Sequence, residues 1–250
     1  MSGHSKWSKI KRKKGANDSA RSKIFSRLVK EITVAAREGG GDPDGNARLR
    51  TAIDNAKLEN LPASNVEKAI KRGTGEISGV VYEEVTFEGY GPGGVAILVQ
   101  ATTDNRRRTV PEMRKIFDKG GGNLGDQGSV AWMFKHSGLF VIDATTIDED
   151  ELMMTALDAG ADDVTAQDGM YEVLSAPTEF HAVSQALDAA GVQIVSRELA
   201  MLPQNMMAVE GKVAERCIKL MEEFDDHDDV QNVWTNADIA EEIVEQAAAG

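Results

Sequence analysis

Apolar positions in the first third of the chain recur at helical intervals. From Asp18 or Ser19, either able to cap a helix, to about Glu38, where glycines 39–41 stop it, one broad face collects Ile24, Phe25, Leu28, Val29, Ile32, Ala35 and Ala36. Lys23, Arg27, Lys30 and Arg37 gather on the opposite face, giving this helix a core side and a cationic side. A second helix is expected with Asp42 as cap, Pro43 in its first turn, Leu49, Ile53 and Ala56 as its stripe and Pro62 as terminator. In a third, Ser64 and Glu67 have capping-box spacing, Val66 and Ile70 point inward and Gly73 ends the run. Three short helices make a small basic bundle.

From Gly79 the period changes to two. Residues 80–90 and 95–103 read as strands joined by the glycine-rich turn GYGPGG, a β-hairpin. TVPE, residues 109–112, is capping-box-like with Pro111 in the first turn, and predicts a helix through Phe117 that ends at glycines 120–122. SVAWMF reads as a further strand. Between about 137 and 202 the segments GLFVID, DEDELMMTALDAG, DDVTAQ, MYEVLS, TEFHAVSQALDAAG and VQIVSRELAML alternate as βαββαβ, a split-βαβ, ferredoxin-like unit. A helix over EGKVAERCIKLMEEF and a strand over VQNVWTN follow.

The expected architecture is therefore α+β with three domains: a helical domain over 1–80, a discontinuous α+β domain built from 81–135 plus 206–240, and the βαββαβ unit inserted at 136–205. Segments 81–135 and 206–240 are too short to bury their own apolar surface alone, so they are expected to complete one another. Each core is expected to be self-contained, leaving the acidic domains free to pivot against the bundle.

Charge changes this picture. The formal net charge is −13 over 250 residues, but 1–80 carry 17 Lys/Arg against 9 Asp/Glu, +8, and 81–250 carry 11 against 32, −21. Such asymmetry points to a polyanion for the first part, because clustered cations gain by releasing phosphate counterions. The acidic remainder repels the same polymer, so contact is expected to be local.

The sharpest basic stretch is SKWSKIKRKK, residues 5–14. Lys6, Lys9, Lys11, Arg12, Lys13 and Lys14 are candidates to neutralise phosphates, against the plainer reading of a solvated tail. Trp7 either stacks on a base or packs on the bundle. A second cationic island, Arg106, Arg107 and Arg108, precedes the helix start expected at Thr109, where free N–H groups add positive potential; it either grips a phosphate or pairs with the domain's own carboxylates. No helix offers the Arg, Asn and Gln set of a major-groove reader, so contacts that position without reading sequence are expected.

Other motifs fall away. GGGNLG follows a helix and precedes a strand, the reverse of a dinucleotide-binding context, and GYGPGG lacks the Lys-Ser/Thr of a phosphate loop. DDHDD, residues 225–229, reads as a solvated helix end in preference to a metal site. His4, His136, His181 and His227 are scattered without a nucleophile or paired carboxylate. The single Cys217 permits no internal disulfide and sits at helical spacing as a small buried residue. No apolar run approaches a membrane span, and residues 1–16, though basic, serine-containing and acid-free, lack the amphipathic apolar residues of an organelle-targeting peptide. A cytoplasmic, non-enzymatic protein with no cofactor, metal, membrane or small-molecule substrate is expected.

GHSKWSKIKRKKGANDSARSKIF, GGGDPDGNARLRTAIDNAK, FEGYGPGGVAILVQATTDNRRRTVPEMRKIF and GGNLGDQGSVAWMF resemble the YebC/PmpR family, and the resemblance covers nearly the whole chain. It implies a cytoplasmic bacterial protein with a helical amino-terminal domain and two α+β domains. It also implies nucleic acid as partner, but along two lines: a probable DNA-binding transcriptional regulator, or, as in relatives described as a mitochondrial translational activator or a ribosome-associated factor relieving stalls on proline runs, a translation factor docking on ribosomal RNA and tRNA. The first is the expectation taken here, with the acidic domains available to a protein partner.

Overall fold

In a computed structural model, residues 18–167, 169–240 and 242–244 are described. The fold is α+β. The bundle comprises α1 (Asp18–Gly39), α2 (Ala47–Leu58) and α3 (Ala63–Gly73). Ile32, Ala35, Ala36, Leu49, Ala52, Ala56, Leu61 and Ala69 form its buried core. Alanines on all three helices allow close approach, and at Gly73 an added Cβ would lie 2.4 Å from the Thr33 carbonyl oxygen.

Two caps differ from expectation. Asn46, not Asp42, opens α2: its buried side chain accepts the Leu49 N–H at 3.0 Å and donates to the Ala35 and Gly40 carbonyls at 2.8 Å each, tying the end of α1 to the start of α2. Asp42 instead accepts the Asp44 N–H in a turn. Pro62 does not terminate α2 but precedes α3, which has no side-chain cap, so the Ser64–Glu67 box does not form. The turn before it uses Asn60 in a left-handed conformation, φ 57°.

The first sheet has strand order β3-β1-β2-β9, with β1 (Glu83–Tyr90), β2 (Ala96–Thr103), β3 (Asn123–Leu124) and β9 (Val230–Thr235). Helices α4 (Arg106–Gly120) and α7 (Gly211–Asp225) contribute to the core on one of its faces, where Phe117 and Phe224 meet edge to face at 4.7 Å. Cys217 is buried here and burial pushes its thiol up to about 11, as suits a packing residue. A short parallel pair, β8 (Met207–Val209) and β10 (Ala237–Ile239), flanks it.

The second sheet has order β5-β6-β4-β7, every pair antiparallel, from β4 (Phe134–Asp143), β5 (Ala161–Gln167), β6 (Met170–Ser175) and β7 (Ile194–Pro203). With α5 (Glu149–Asp158) and α6 (Phe180–Ala189) this is the split-βαβ pattern, and Phe140 stacks on Phe180 at 4.7 Å in its core.

The two sheets are not separate bodies. Successive residues of β2 divide between cores, Ile97 and Val99 toward α4 and α7, Ala96 and Leu98 toward a further cluster shared with Phe134, Leu139, Val141, Leu202 and Trp234. The near-continuous apolar runs AILV and LFVI are the signature of strands buried on both faces. The expectation that each core is self-contained is therefore corrected: the second sheet supplies half of the core that covers the first.

SVAWMF is not a strand throughout. The buried Glu88 carboxylate accepts the N–H groups of Gly128, Val130 and Ala131 at 2.7–2.8 Å and winds this segment into a 3₁₀ turn over Ala131–Met133; β4 begins at Phe134. Burial would raise the Glu88 pKa, but these three backbone donors outweigh it and hold the group below its usual value. Helix α4 likewise starts a turn earlier than TVPE suggests. Asn105 caps it by accepting the Arg108 N–H at 3.2 Å, Pro111 lies inside it, and Thr109 turns inward.

Candidate nucleic-acid interface

Helix α1 is amphipathic as its sequence requires, but three of its cations, Lys23, Arg27 and Lys30, are paired with carboxylates of the sheet body. Lys23 meets Asp226 at 2.7 Å, Arg27 binds the carboxylate and the main-chain carbonyl of Asp225, and Lys30 binds Asp229 at 3.1 Å and the carbonyls of Asp228 and Thr102. Lys30 also lies over the Tyr82 ring at 5.6 Å, and Arg37 donates to the Tyr82 carbonyl. The acidic strip 225–229 is thus more than a solvated helix end: Asp226 and Asp228 are exposed, but Asp225 and above all Asp229 are drawn into ion pairs. It is the receptor for the α1 cations, and the expected open cationic side is corrected accordingly.

Asp229 is the centre of that contact. Its carboxylate, almost fully buried, takes Lys30 from α1, Thr103 from the end of β2 at 3.0 Å, and Arg108 and Thr109 from α4 at 2.7 and 2.8 Å. Burial alone would push its pKa up; the bonds from Arg108, Thr109 and Lys30 prevail and hold it at about 2. Nearby, His227 bridges from the Asp229 N–H to Glu112.

Arg48 makes a second bridge between bundle and sheets. It gathers Glu31, Glu38 and Glu84 at 2.6–3.1 Å, and its bonds to Glu84, with those to Glu31, raise its pKa further despite burial. On the other side of α2, Arg50 meets His181 of the second sheet's α6.

The arginine island divides. Arg108 is spent internally, on Asp104, Asp229 and Glu112. Arg106 and Arg107 are exposed and make no ion pair among the described residues. About two turns further along α4, exposed Arg114 and Lys115 are equally unpaired among the described residues, a row recoverable from their i+7 and i+8 spacing to Arg107. With Val110, Pro111, Asp118 and Lys119 they line a shallow groove of about 560 Å³. On the bundle, Lys68, Lys71 and Arg72 of α3 are exposed in the same way.

Lys6, Trp7, Lys9, Lys11, Arg12, Lys13 and Lys14 lie outside the described residues. Among the described residues no group of three or more His, Cys, Asp or Glu could hold a metal ion, and no helix is long and apolar enough to cross a membrane.

Comparison with known proteins decides the family. The description "TACO1/YebC protein N-terminal domain" matches residues 5–76 and "TACO1/YebC second and third domain" matches residues 82–237. The chain belongs to the TACO1/YebC family. Among its TACO1/YebC relatives, a "probable transcriptional regulatory protein" of Desulfotalea psychrophila is 58% identical over 99% of this chain and 100% of its own length. One of the same description from Geobacter sp. strain M21 is 57% identical over 98% and 99%. A crystal structure of a conserved hypothetical protein from Aquifex aeolicus superposes with a TM-score of 0.83 at 42% identity, covering 89% of this chain and 92% of that one. The family boundary between 76 and 82 falls where the bundle gives way to β1, and the basic stretch 5–14 lies within the matched amino-terminal region.

Proposed function

We propose that this TACO1/YebC protein is a DNA-binding regulator of gene expression that works in the cytoplasm without catalysis. The observation that carries the reading is the segregation of charge, +8 over 1–80 against −21 over 81–250, with six Lys/Arg concentrated in residues 5–14. The description of its relatives as probable transcriptional regulatory proteins points the same way. Since the α1 cations are spent on Asp225, Asp226 and Asp229, the phosphate contacts are assigned to Lys6, Lys9, Lys11, Arg12, Lys13 and Lys14, with Trp7 against a base or sugar. Such contacts fix position more than sequence. The acidic body is left for a protein partner.

The test is binding of the full chain to a promoter-length duplex across a salt series, beside co-sedimentation with ribosomes in the same salt. About six phosphate contacts give log K against log salt a slope of roughly −5, and removal of residues 1–16 abolishes most of it. A flat slope, or ribosome binding without duplex binding, would overturn the DNA reading, the latter in favour of a translation factor on ribosomal RNA.

A further inference from the structure

We propose that the solvent face of α4 is a second DNA contact, in which Arg107, Arg114 and Lys115, with Arg106 beside them, hold the phosphates of a duplex whose main grip is the basic amino-terminal segment. The inference deepens the proposed function and rests on it. Three observations carry it.

First, the face is cationic by exclusion. The neighbouring groups that could neutralise it are occupied: Glu112 is taken by Arg108 and His227, and Asp104 by Arg108. Lys119 is itself neutralised by Glu223 at 2.6 Å, which leaves Asp118 as the one carboxylate lining the groove. Second, the row is long enough for a backbone. Arg107 and Lys115 are eight residues apart, so at a rise of about 1.5 Å per residue they span about 12 Å, the axial advance of three to four base pairs at about 3.4 Å each. Third, the face contains no Asn or Gln among Arg106, Arg107, Val110, Pro111, Arg114, Lys115 and Asp118, and no aromatic anchor of the kind that centres a protein interface. It suits phosphate and neither base edges nor an apolar partner. Because the surrounding body is acidic, a duplex would be tolerated only along this row, which fixes how the body lies against DNA.

The test uses the full chain and a 30-base-pair duplex. Arg107→Gln, Arg114→Gln and Lys115→Gln together should lower the magnitude of the salt slope by about 3 and weaken binding by about tenfold or more at 0.1 M salt. The charge-matched triple Lys135→Gln, Lys212→Gln and Lys219→Gln, on β4 and α7 and outside the groove lining, should leave the slope within about 0.5 of the parent. Asp118→Lys, which adds a cation to the row, should tighten binding and steepen the slope by about 1. If the parent slope is steep but neither α4 variant changes it, the α4 contact is wrong while the DNA reading survives. If the parent itself shows no salt-dependent binding, the DNA reading falls and takes this contact with it. Competition by polyglutamate as strong as by duplex at equal charge would also overturn it, in favour of an acidic protein on this face.

Discussion

Helices α1 and α4 carry basic rows of similar length in opposite settings. On α1, Lys23, Arg27 and Lys30 meet Asp226, Asp225 and Asp229, residues 198–203 positions away in sequence, and the row becomes a seam between bundle and sheets. On α4, Arg106, Arg107, Arg114 and Lys115 stand in the acidic half of the chain yet find no carboxylate among the described residues. A helix's own charge pattern therefore says little about which polyanion it serves. What decides is whether the fold brings a carboxylate opposite: segment 225–229 does this for Lys23, Arg27 and Lys30 of α1 and, through Asp229, for Arg108 of α4, but not for the outer α4 row.

The comparison breaks most readily at Asp229. Removing its carboxylate leaves Lys30 and Arg108 without their shared buried counter-charge, so Asp229→Ala should destabilise the fold by about 3–5 kcal/mol in denaturant unfolding. A loss below about 1 kcal/mol would show that the α1 row does not hold the seam. No single substitution in the α4 row should approach this cost.

Acid reads the same contact by titration. Asp229 is held at about 2 against an ordinary 3.8, so its contribution is fully present above about pH 4 and is lost as the pH falls through 2. At about 1.4 kcal/mol per unit this is roughly 2 kcal/mol. The stability gap between the parent and Asp229→Asn, which resembles the protonated acid, should close by about that amount between pH 5 and pH 2. A constant gap would mean that the aspartate's charge contributes nothing to the seam.

What the sequence made legible follows from the range of each signal. Periodicity, turn glycines and doubly apolar strands are local, so the helical start, the hairpin and the βαββαβ order are readable from runs such as AILV and LFVI. Caps were misplaced where two candidates compete within one turn: Asp42 with its Pro43 outbids Asn46 on sequence rules, yet only Asn46 can also reach the Ala35 and Gly40 carbonyls. The role of Lys23, Arg27 and Lys30 was illegible because their partners lie on the far side of the chain. Arg114 and Lys115 could have been found by extending the Arg107 row along its helix.

Single arginines sharpen the contrast at a smaller scale. Arg27, only 13% exposed in its side chain and bonded to both the carboxylate and the main-chain carbonyl of Asp225, should cost about 1.5 kcal/mol as Arg27→Gln and leave the salt slope for duplex binding unchanged. Arg107→Gln should do the reverse, with stability within about 0.5 kcal/mol of the parent and a slope smaller by about 1. Equal effects of the two on both readouts would erase the distinction between the rows.

The smallest effect is expected at the outer end of the seam. Lys23 and Asp226 are 2.7 Å apart, but their side chains are 37% and 76% exposed, so water and salt compete for both charges and each long side chain loses freedom by pairing. A double-mutant cycle with Lys23→Ala and Asp226→Ala should give a coupling of no more than about 0.5 kcal/mol, falling further between 0.05 and 0.5 M salt. The corresponding cycle on Lys30 and Asp229, side chains 14% and 6% exposed, should exceed about 1 kcal/mol and respond little to salt. A gradient of this kind means that the seam is held from its buried end and frays outward, with Lys23 the first cation a competing polyanion could take. Equal couplings at the two ends would instead make the row one cooperative unit, and Lys23 would then be no more available to a phosphate than Lys30.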